Sequence, residues 1–510
     1  MRVLFYNWVD HDDPQKRGGG VALYQRNLVD ALAAIDGVQT GSLSAGLAHD
    51  LRPGAPPRRA RIGKRAAPGG HQAHEIVNSG LLSPAHADFG SPAQLSHDAT
   101  EQVFGDALRR TGPWDVVHFN NLEGLPARAL AQARAAGAGR VILSLHNYYP
   151  FCPQVNLWRE ERAHCTDFHD GQRCVSCLPV KPNRQATRMA LALSWRLGHL
   201  RGLPGGRMAG GLLWALLRLG WHGYKRLRGA NPATPARPAT PAEPAPPRAA
   251  PPAAPTAQHA ADAAHGFAER RARMVALINA ECDAVLCVSD RVRQIARHYG
   301  IRPEILHTVY IGTREARHWQ HSRPAPAFVA PDGTLHLAYL GYMRADKGFP
   351  FLLDALSALP DATLARLRLT VAARSGPAPL MARTAALAPR LAGFRHLDGY
   401  SHETLDSVLD GVALGVVPVM WQDNLPQVAI EMHARHIPLL TSDMGGAQEL
   451  GRCPALVFRA GDKADFARAL DGVLSGAVQP ADYWPGAMAP VTMADHLDQL
   501  LPIYRGAPAG

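Results

Sequence analysis

The chain repeats one local grammar twice: a short apolar run stopping at polar residues, then a longer stretch with helical apolar spacing. VLFYNW (3–8) is followed by the glycine loop KRGGG and by VALYQRNLVDALAAI, whose apolar residues recur at helical intervals. WDVVHF (114–119) and RVILSLH (140–146) flank an alanine-rich helical stretch. AVLCVS (284–289) leads into DRVRQIARHYG, which ends at a glycine suited to cap it. A second series opens at TLHLAYLGY (334–342) and runs through RLRLTVAA, FRHLDGY, GVALGVVPV and IPLLTS, with helical stretches such as FPFLLDALSAL between them. Apolar runs this short, separated by helices, are buried on both faces, so the pattern predicts an α/β fold with parallel sheets.

At 510 residues the chain exceeds one ordinary core, and the two series predict two domains. We place the first at 1–313, a polar, proline-bearing hinge at 314–334, the second at 335–484, and an amphipathic closing helix at 485–510. Two insertions interrupt the first domain. One is a cysteine-bearing segment, 150–180. The other joins a basic apolar stretch, 181–230, to a Pro/Ala tract, 231–262, predicted to stay extended because it has nothing with which to pack a core.

The formal charge of +11 raises a nucleic-acid reading, but ten Lys and Arg, with no acid, fall within 181–230. The remainder is near neutral, so a general nucleic-acid binder is excluded. That basic stretch carries Trp and Leu among its arginines. It reads either as a helix packed on its own domain or, over 184–228, as an interfacial helix drawn to an anionic membrane. The amino terminus reads as a strand rather than an export signal, so a cytoplasmic location with reduced thiols is the expectation. Cys152, Cys165, Cys174 and Cys177 gather in one polar segment, the last two as C-x-x-C. They suit a structural Zn²⁺, or remain thiols or a redox pair.

Two stretches of the second series carry chemistry. In G-Y-M-R-A-D-K-G (341–348), Arg344 and Lys347 stand at the mouth of a strand-to-helix loop after Gly341, where a guanidinium fork and a compact ammonium suit a diphosphate. In DNLPQVAIE (423–431), a strand ends, a loop of Asn424, Leu425, Pro426 and Gln427 follows, and a helix starts; its free amides would face a phosphate. Glu431 suits the vicinal hydroxyls of a ribose, and Asp423 suits those of a sugar. Both acids also fit a purely electrostatic role at a helix start. In the first series, His118 and Asn120 end a strand at the same sheet edge and are weaker, acceptor-side candidates.

These motifs, in this order over 335–475, resemble the GT-B nucleotide-sugar glycosyltransferases, specifically the retaining group 1 (family 4) enzymes. The family's Glu, seven residues, Glu is similar to Asp423 and Glu431, followed by Pro438, Gly445-Gly446 and Glu449. Its G-R-x-x-x-K-G resembles residues 341–348, and its G-D-x-x-x-L-A resembles GDKADFARAL. More loosely, the glycines Gly18, Gly19 and Gly20 resemble the family's loop facing donor and acceptor. SLHNYYPFCP resembles its T-L-H-D-Y-W-x-x-C-P, which places His146 at the cleft. The resemblance implies two Rossmann-like domains facing a central cleft and a closing helix that crosses back to the first domain. It implies a nucleoside-diphosphate sugar as co-substrate and a glycan or lipid-linked acceptor, as in cell-surface polysaccharide or glycolipid assembly. His146, Asp423, Arg344 and Lys347 would be catalytic; Gly19, Gly20, Gly341 and the 424–427 loop would bind donor together with Glu431. With two cations on the leaving diphosphate, no catalytic metal is expected. An epimerase or phosphorylase on the same fold, or a non-catalytic glycan- or membrane-binding protein, stands as the alternative.

Overall fold

The computed structural model describes residues 1–62, 70–160, 162–178, 183–201 and 257–506. The first series builds a sheet from β1 (Arg2–Tyr6), β2 (Gln39–Ala45), β3 (Arg58–Arg61), β4 (Gln72–Val77), β5 (Val116–Phe119) and β6 (Arg140–Leu145). After a small hairpin of β7 (Trp158–Arg159) and β8 (Ala163–His164), β9 (Ala284–Cys287) and β10 (Leu306–Thr308) complete it. The spatial order is β10-β9-β6-β5-β1-β2-β4-β3, parallel throughout except for β3 against β4. Apolar side chains fill these strands because helices cover both faces; Val3, Phe5, Val116, Val141 and Val285 are fully buried.

The second series builds a parallel sheet of β11 (Leu335–Leu340), β12 (Leu367–Ala372), β13 (Gly393–Leu397), β14 (Leu414–Val417), β15 (Leu439–Ser442) and β16 (Val457–Phe458). Its order is β13-β12-β11-β14-β15-β16. The chain starts at β11, runs outward to β13, then returns to β14 on the other side. That reversal opens a crevice between the carboxyl ends of β11 and β14, the place where open α/β sheets hold ligands.

The inserts follow the sequence in part. The Pro/Ala tract is shorter than the expected 231–262, because a helix begins at Ala257 and runs to Glu281. From Ala257 onward proline disappears and Ala, Glu and Arg take over, so backbone hydrogen bonding becomes possible. Residues 202–256, which hold most of the basic stretch and the tract, lie outside the described residues. The described part, helix Arg184–Arg201, is fastened to its own domain. Arg184 reaches Asp88, Arg188 donates to the carbonyls of Asp50 and Arg52, and Trp195 Nε1 donates to Glu75 at 2.9 Å. Among the described residues no helix is long and apolar enough to cross a membrane.

The chain crosses from the second domain, where the Met488 N–H bonds the Leu450 carbonyl, and the closing helix, Met493–Arg505, docks on the first. Its start lies beside the backbone of residue 313, and its later turns lie on the first domain. Tyr504 Oη lies 2.5 Å from His118 Nδ1, and His496 Nε2 lies 2.8 Å from Tyr24 Oη. The 314–334 connection is anchored rather than loose: Trp319 stacks on His436, with ring centroids 4.0 Å apart.

Candidate active site

The crevice at the β11/β14 reversal becomes an interdomain cavity of about 290 Å³. The second domain contributes Tyr339 to Tyr342 from the end of β11, Val416 to Val419 from β14, Lys347, and Asp423 to Val428. The first domain closes it with Gly20, Val21, Tyr24, His146, Val288 and Ile311. Local backbone chemistry sets the second domain's loop. Gly348 has φ +76°, and a Cβ there would stand 1.6 Å from the Pro418 carbonyl oxygen, so only glycine lets the Lys347 loop lie against the end of β14.

Lys347 and Asp423 meet in this cavity, with Nζ 2.5 Å from Oδ2 and the ammonium 5.2 Å from the centre of the Trp421 ring. The lysine side chain is 28% exposed, so the pair is open to the cavity on the cation's side. An ammonium reached from solvent, with a carboxylate and the Asn424–Gln427 loop beside it, can receive an anionic group and the hydroxyls attached to it. Gly20 faces Gln427 across the domain boundary, and a Cβ on it would lie in ordinary contact, 3.4 Å from Gln427 Cγ.

His146 enters from the end of β6. Its Nε2 is buried without a hydrogen-bond partner, its ring lies 5.0 Å from that of Tyr24, and burial holds its pKa down at about 3. The imidazole is therefore neutral at ordinary pH and offers a hydrogen bond, not a charge, to whatever fills the cavity.

The remaining predicted residues lie elsewhere. Arg344 does not line the cavity; its Nε binds Asp346 Oδ1 at 2.9 Å, and it borders a shallow pocket on the outer side of the loop. Glu431 is buried behind the Asn424–Gln427 loop, where Tyr400 donates to its Oε2 at 2.7 Å and burial raises its pKa. Gly19 begins helix Gly19–Ala33 at φ +54° but does not line the cavity. His118 is fully enclosed, with Nε2 2.7 Å from Ser144 Oγ and Nδ1 held by Tyr504, so the acceptor-side expectation for it is corrected: it ties the closing helix to the sheet. Asn120 is likewise enclosed and donates to Gln25.

Cys152, Cys165, Cys174 and Cys177 line one small pocket with Arg159, Arg173 and Arg271. Burial, with the neighbouring Cys152 adding to it, pushes the Cys174 thiol up to about 12 and the Cys177 thiol up to about 11. All seven cysteines are free, and among the described residues no three His, Cys, Asp or Glu side chains stand in metal-holding geometry.

The sequence motifs did not point to Tyr24 or Ile311, which enter only through the closure of the domains, or to Tyr342. Tyr342, 61% exposed at the cavity rim, sat unnoticed inside the quoted 341–348 motif. Glu449 had been singled out only as a motif match. It joins the domains, accepting from the backbone N–H of Asp290 at 2.9 Å and of Arg291 at 2.7 Å, and from Tyr310 Oη at 2.6 Å.

Comparison with known proteins agrees with this architecture. Residues 334–476 match the family of glycosyl transferases group 1. Among solved structures, the chain is similar to sucrose-phosphate synthase from Thermosynechococcus elongatus, at 15% identity and a TM-score of 0.55, covering 99% of this chain and 98% of that one. It is similar to Anabaena HepE in complex with UDP, at 11% identity and 0.51, covering 99% and 100%. It is also similar to the UDP-forming α,α-trehalose-phosphate synthase from Burkholderia xenovorans in complex with glucose-6-phosphate, at 12% and 0.50, covering 100% and 97%. At these identities the likeness establishes the fold, GT-B. No curated protein sequence matches the chain.

Proposed function

Because residues 334–476 belong to the group 1 glycosyl transferases and the whole chain has the GT-B fold, we propose that this protein moves a sugar from a nucleoside-diphosphate sugar to a hydroxyl of a glycan or lipid-linked acceptor. The observation that carries the reading is the Lys347–Asp423 pair, open to a cavity at the strand reversal of the second domain and closed by the first. The anomeric C–O bond to the diphosphate breaks, and a new bond forms from that carbon to the acceptor oxygen. The acceptor's proton passes to a phosphate oxygen of the departing diphosphate. Lys347 stabilises the negative charge that grows on that leaving group. Asp423 holds Lys347 in place and takes hydroxyls of the sugar, and neutral His146 donates to the sugar from the opposite wall. Closure of the cavity by the first domain keeps water from the anomeric carbon. Asp423, the carboxylate at the cavity wall among the described residues, is engaged by Lys347 rather than free as nucleophile or base, which suits departure and attack on one face and hence retention.

The structures of similar fold make UDP the first nucleotide to test, since one holds UDP and another is described as UDP-forming. UDP, GDP and ADP are screened by thermal shift on the full chain and on Lys347→Ala. The expected result is stabilisation of the wild type by one nucleotide, at least tenfold weaker binding by the variant, and loss of sugar transfer. Failure of every nucleotide to bind the wild type would overturn the reading. We assign the reaction to the cytoplasm, where seven free thiols persist, and to assembly of surface polysaccharide or glycolipid; activity in the cytoplasmic fraction checks the first. For the four clustered cysteines we keep a structural Zn²⁺. Four thiolates on Zn²⁺ make an anionic centre, which the three lining arginines suit, although the metal would have to draw the thiols closer.

A further inference from the structure

A second cavity, about 460 Å³, lies in the first domain on the side of β2 and β4, roofed by helix Arg184–Arg201. One continuous loop borders both cavities: Val9 to Arg17 form a wall of this one, and Gly20, three residues on, lines the interdomain cavity. We propose that this cavity holds the acceptor, and that the acceptor unit bound there is an uncharged sugar rather than a sugar phosphate. The inference rests on the glycosyltransferase reading and names the substrate class for it.

Two buried polar atoms in the wall lack partners. His11 is 7% exposed, its Nδ1 makes no hydrogen bond, and it lines the cavity; Asp10 lines it too, with Oδ1 accepting from the Asp12 N–H at 2.8 Å while Oδ2 is buried and unpartnered. Buried polar groups are rarely left so, because each costs the free energy of its lost hydration. Neighbouring hydroxyls of a sugar satisfy both at once: one donates to the Asp10 carboxylate, and the next exchanges a hydrogen bond with the His11 imidazole. The indole of Trp195 forms a wall, its orientation fixed by the 2.9 Å bond to Glu75, and gives an apolar surface for a sugar ring.

The unpartnered Asp10 carboxylate disfavours the phosphorylated alternative. Among the described residues, the lining holds four carboxylates, Asp10, Asp12, Asp13 and Glu75, against two guanidinium groups. One of these, Arg17, is already bound to Asp13, with Nη2 at 2.7 Å from Oδ1 and Nε at 2.9 Å from Oδ2. Asp12 is likewise paired, with Arg26 at 3.1 Å, so the repulsion comes from Asp10: a phosphate offers only acceptor oxygens and like charge to its unpartnered Oδ2.

Saturation-transfer NMR on the full chain tests this with methyl glucoside, galactoside and mannoside against the matching hexose 6-phosphates. It is run on wild type, Asp10→Asn, His11→Ala and Trp195→Phe, with nucleotide thermal shift measured on each protein. The expected result is binding of at least one methyl glycoside, weakened tenfold or more by Asp10→Asn and His11→Ala, with the nucleotide shift unchanged. A hexose 6-phosphate that binds as well as its glycoside overturns the proposal. So does glycoside binding that the variants leave intact, or its absence in a wild type that still binds nucleotide. If the wild type binds no nucleotide, the transferase reading itself has failed.

Discussion

Lowering the pH from 7.5 to 5 should weaken the docking of the closing helix on the first domain, and His496 is where the cost is clearest. The ring is 1% exposed; its Nδ1 lies 2.8 Å from the Tyr310 carbonyl oxygen, and its Nε2 lies 2.8 Å from Tyr24 Oη. A carbonyl only accepts, so Nδ1 carries the proton and Nε2 accepts from the tyrosine. A second proton would turn that acceptor into a donor facing a tyrosine oxygen in a buried site, and burial accordingly holds the pKa at about 4, against 6.5 in the unfolded chain. The unfolded state binds the proton first, so stability is full above pH 6.5 and falls as pH drops from there towards 4. With those two values, linkage gives a loss of about 2 kcal/mol from this one group between pH 7.5 and 5. Buried His433, also held at about 4 between Tyr483 and the Met488 carbonyl, adds a loss of the same sign. Urea unfolding followed by tryptophan fluorescence, at both pH values, on wild type and His496→Gln reads the effect. The variant cannot titrate there, so its loss on acidification should be smaller than that of the wild type by about 2 kcal/mol. Equal losses in the two proteins would refute the reasoning.

Glu449→Gln removes a carboxylate that receives two backbone N–H groups at the start of helix Asp290–His298 and a tyrosine hydroxyl across the domain boundary. It should cost about 1–3 kcal/mol of domain association, seen as faster hydrogen exchange in residues 289–293 while the core of β11 and β12 is unaffected. For the cysteines, protein purified without chelator should contain about one zinc per chain. Chelation should lower the melting temperature of wild type but not of a Cys174→Ser, Cys177→Ser variant, and metal-free wild-type protein of unchanged stability would refute the assignment.

Much of this molecule is legible locally. The two series of strands, the proline-bearing connection and the amphipathic final helix depend on periodicity and turn chemistry within a few residues; the structure keeps the nine strands so read and adds β2, β3, β4 and β10 to the first sheet and β16 to the second. Gly341, Lys347 and the Asn424–Gln427 loop were likewise found at the cavity, because the end of a parallel strand presents its following loop to the crevice whatever else surrounds it. Residues whose role depends on where a side chain turns or what covers it were misplaced. His118 read as a strand-end candidate because nothing local shows that Tyr504 covers it. Arg344 read as Lys347's companion because spacing does not say that Asp346 draws it to the other side of the loop.

The sequence alone thus determined the α/β class, the tandem domains and the loop that carries Lys347, since these follow from backbone preference and burial pattern along one stretch of chain. Only the tertiary structure decided which cations reach the cavity, that Tyr24 closes it beside His146, and that helix Arg184–Arg201 roofs a second cavity edged by Asp10 and His11. Those outcomes depend on the direction of side chains and on the docking of segments hundreds of residues apart, and such contacts leave no periodic trace in the chain.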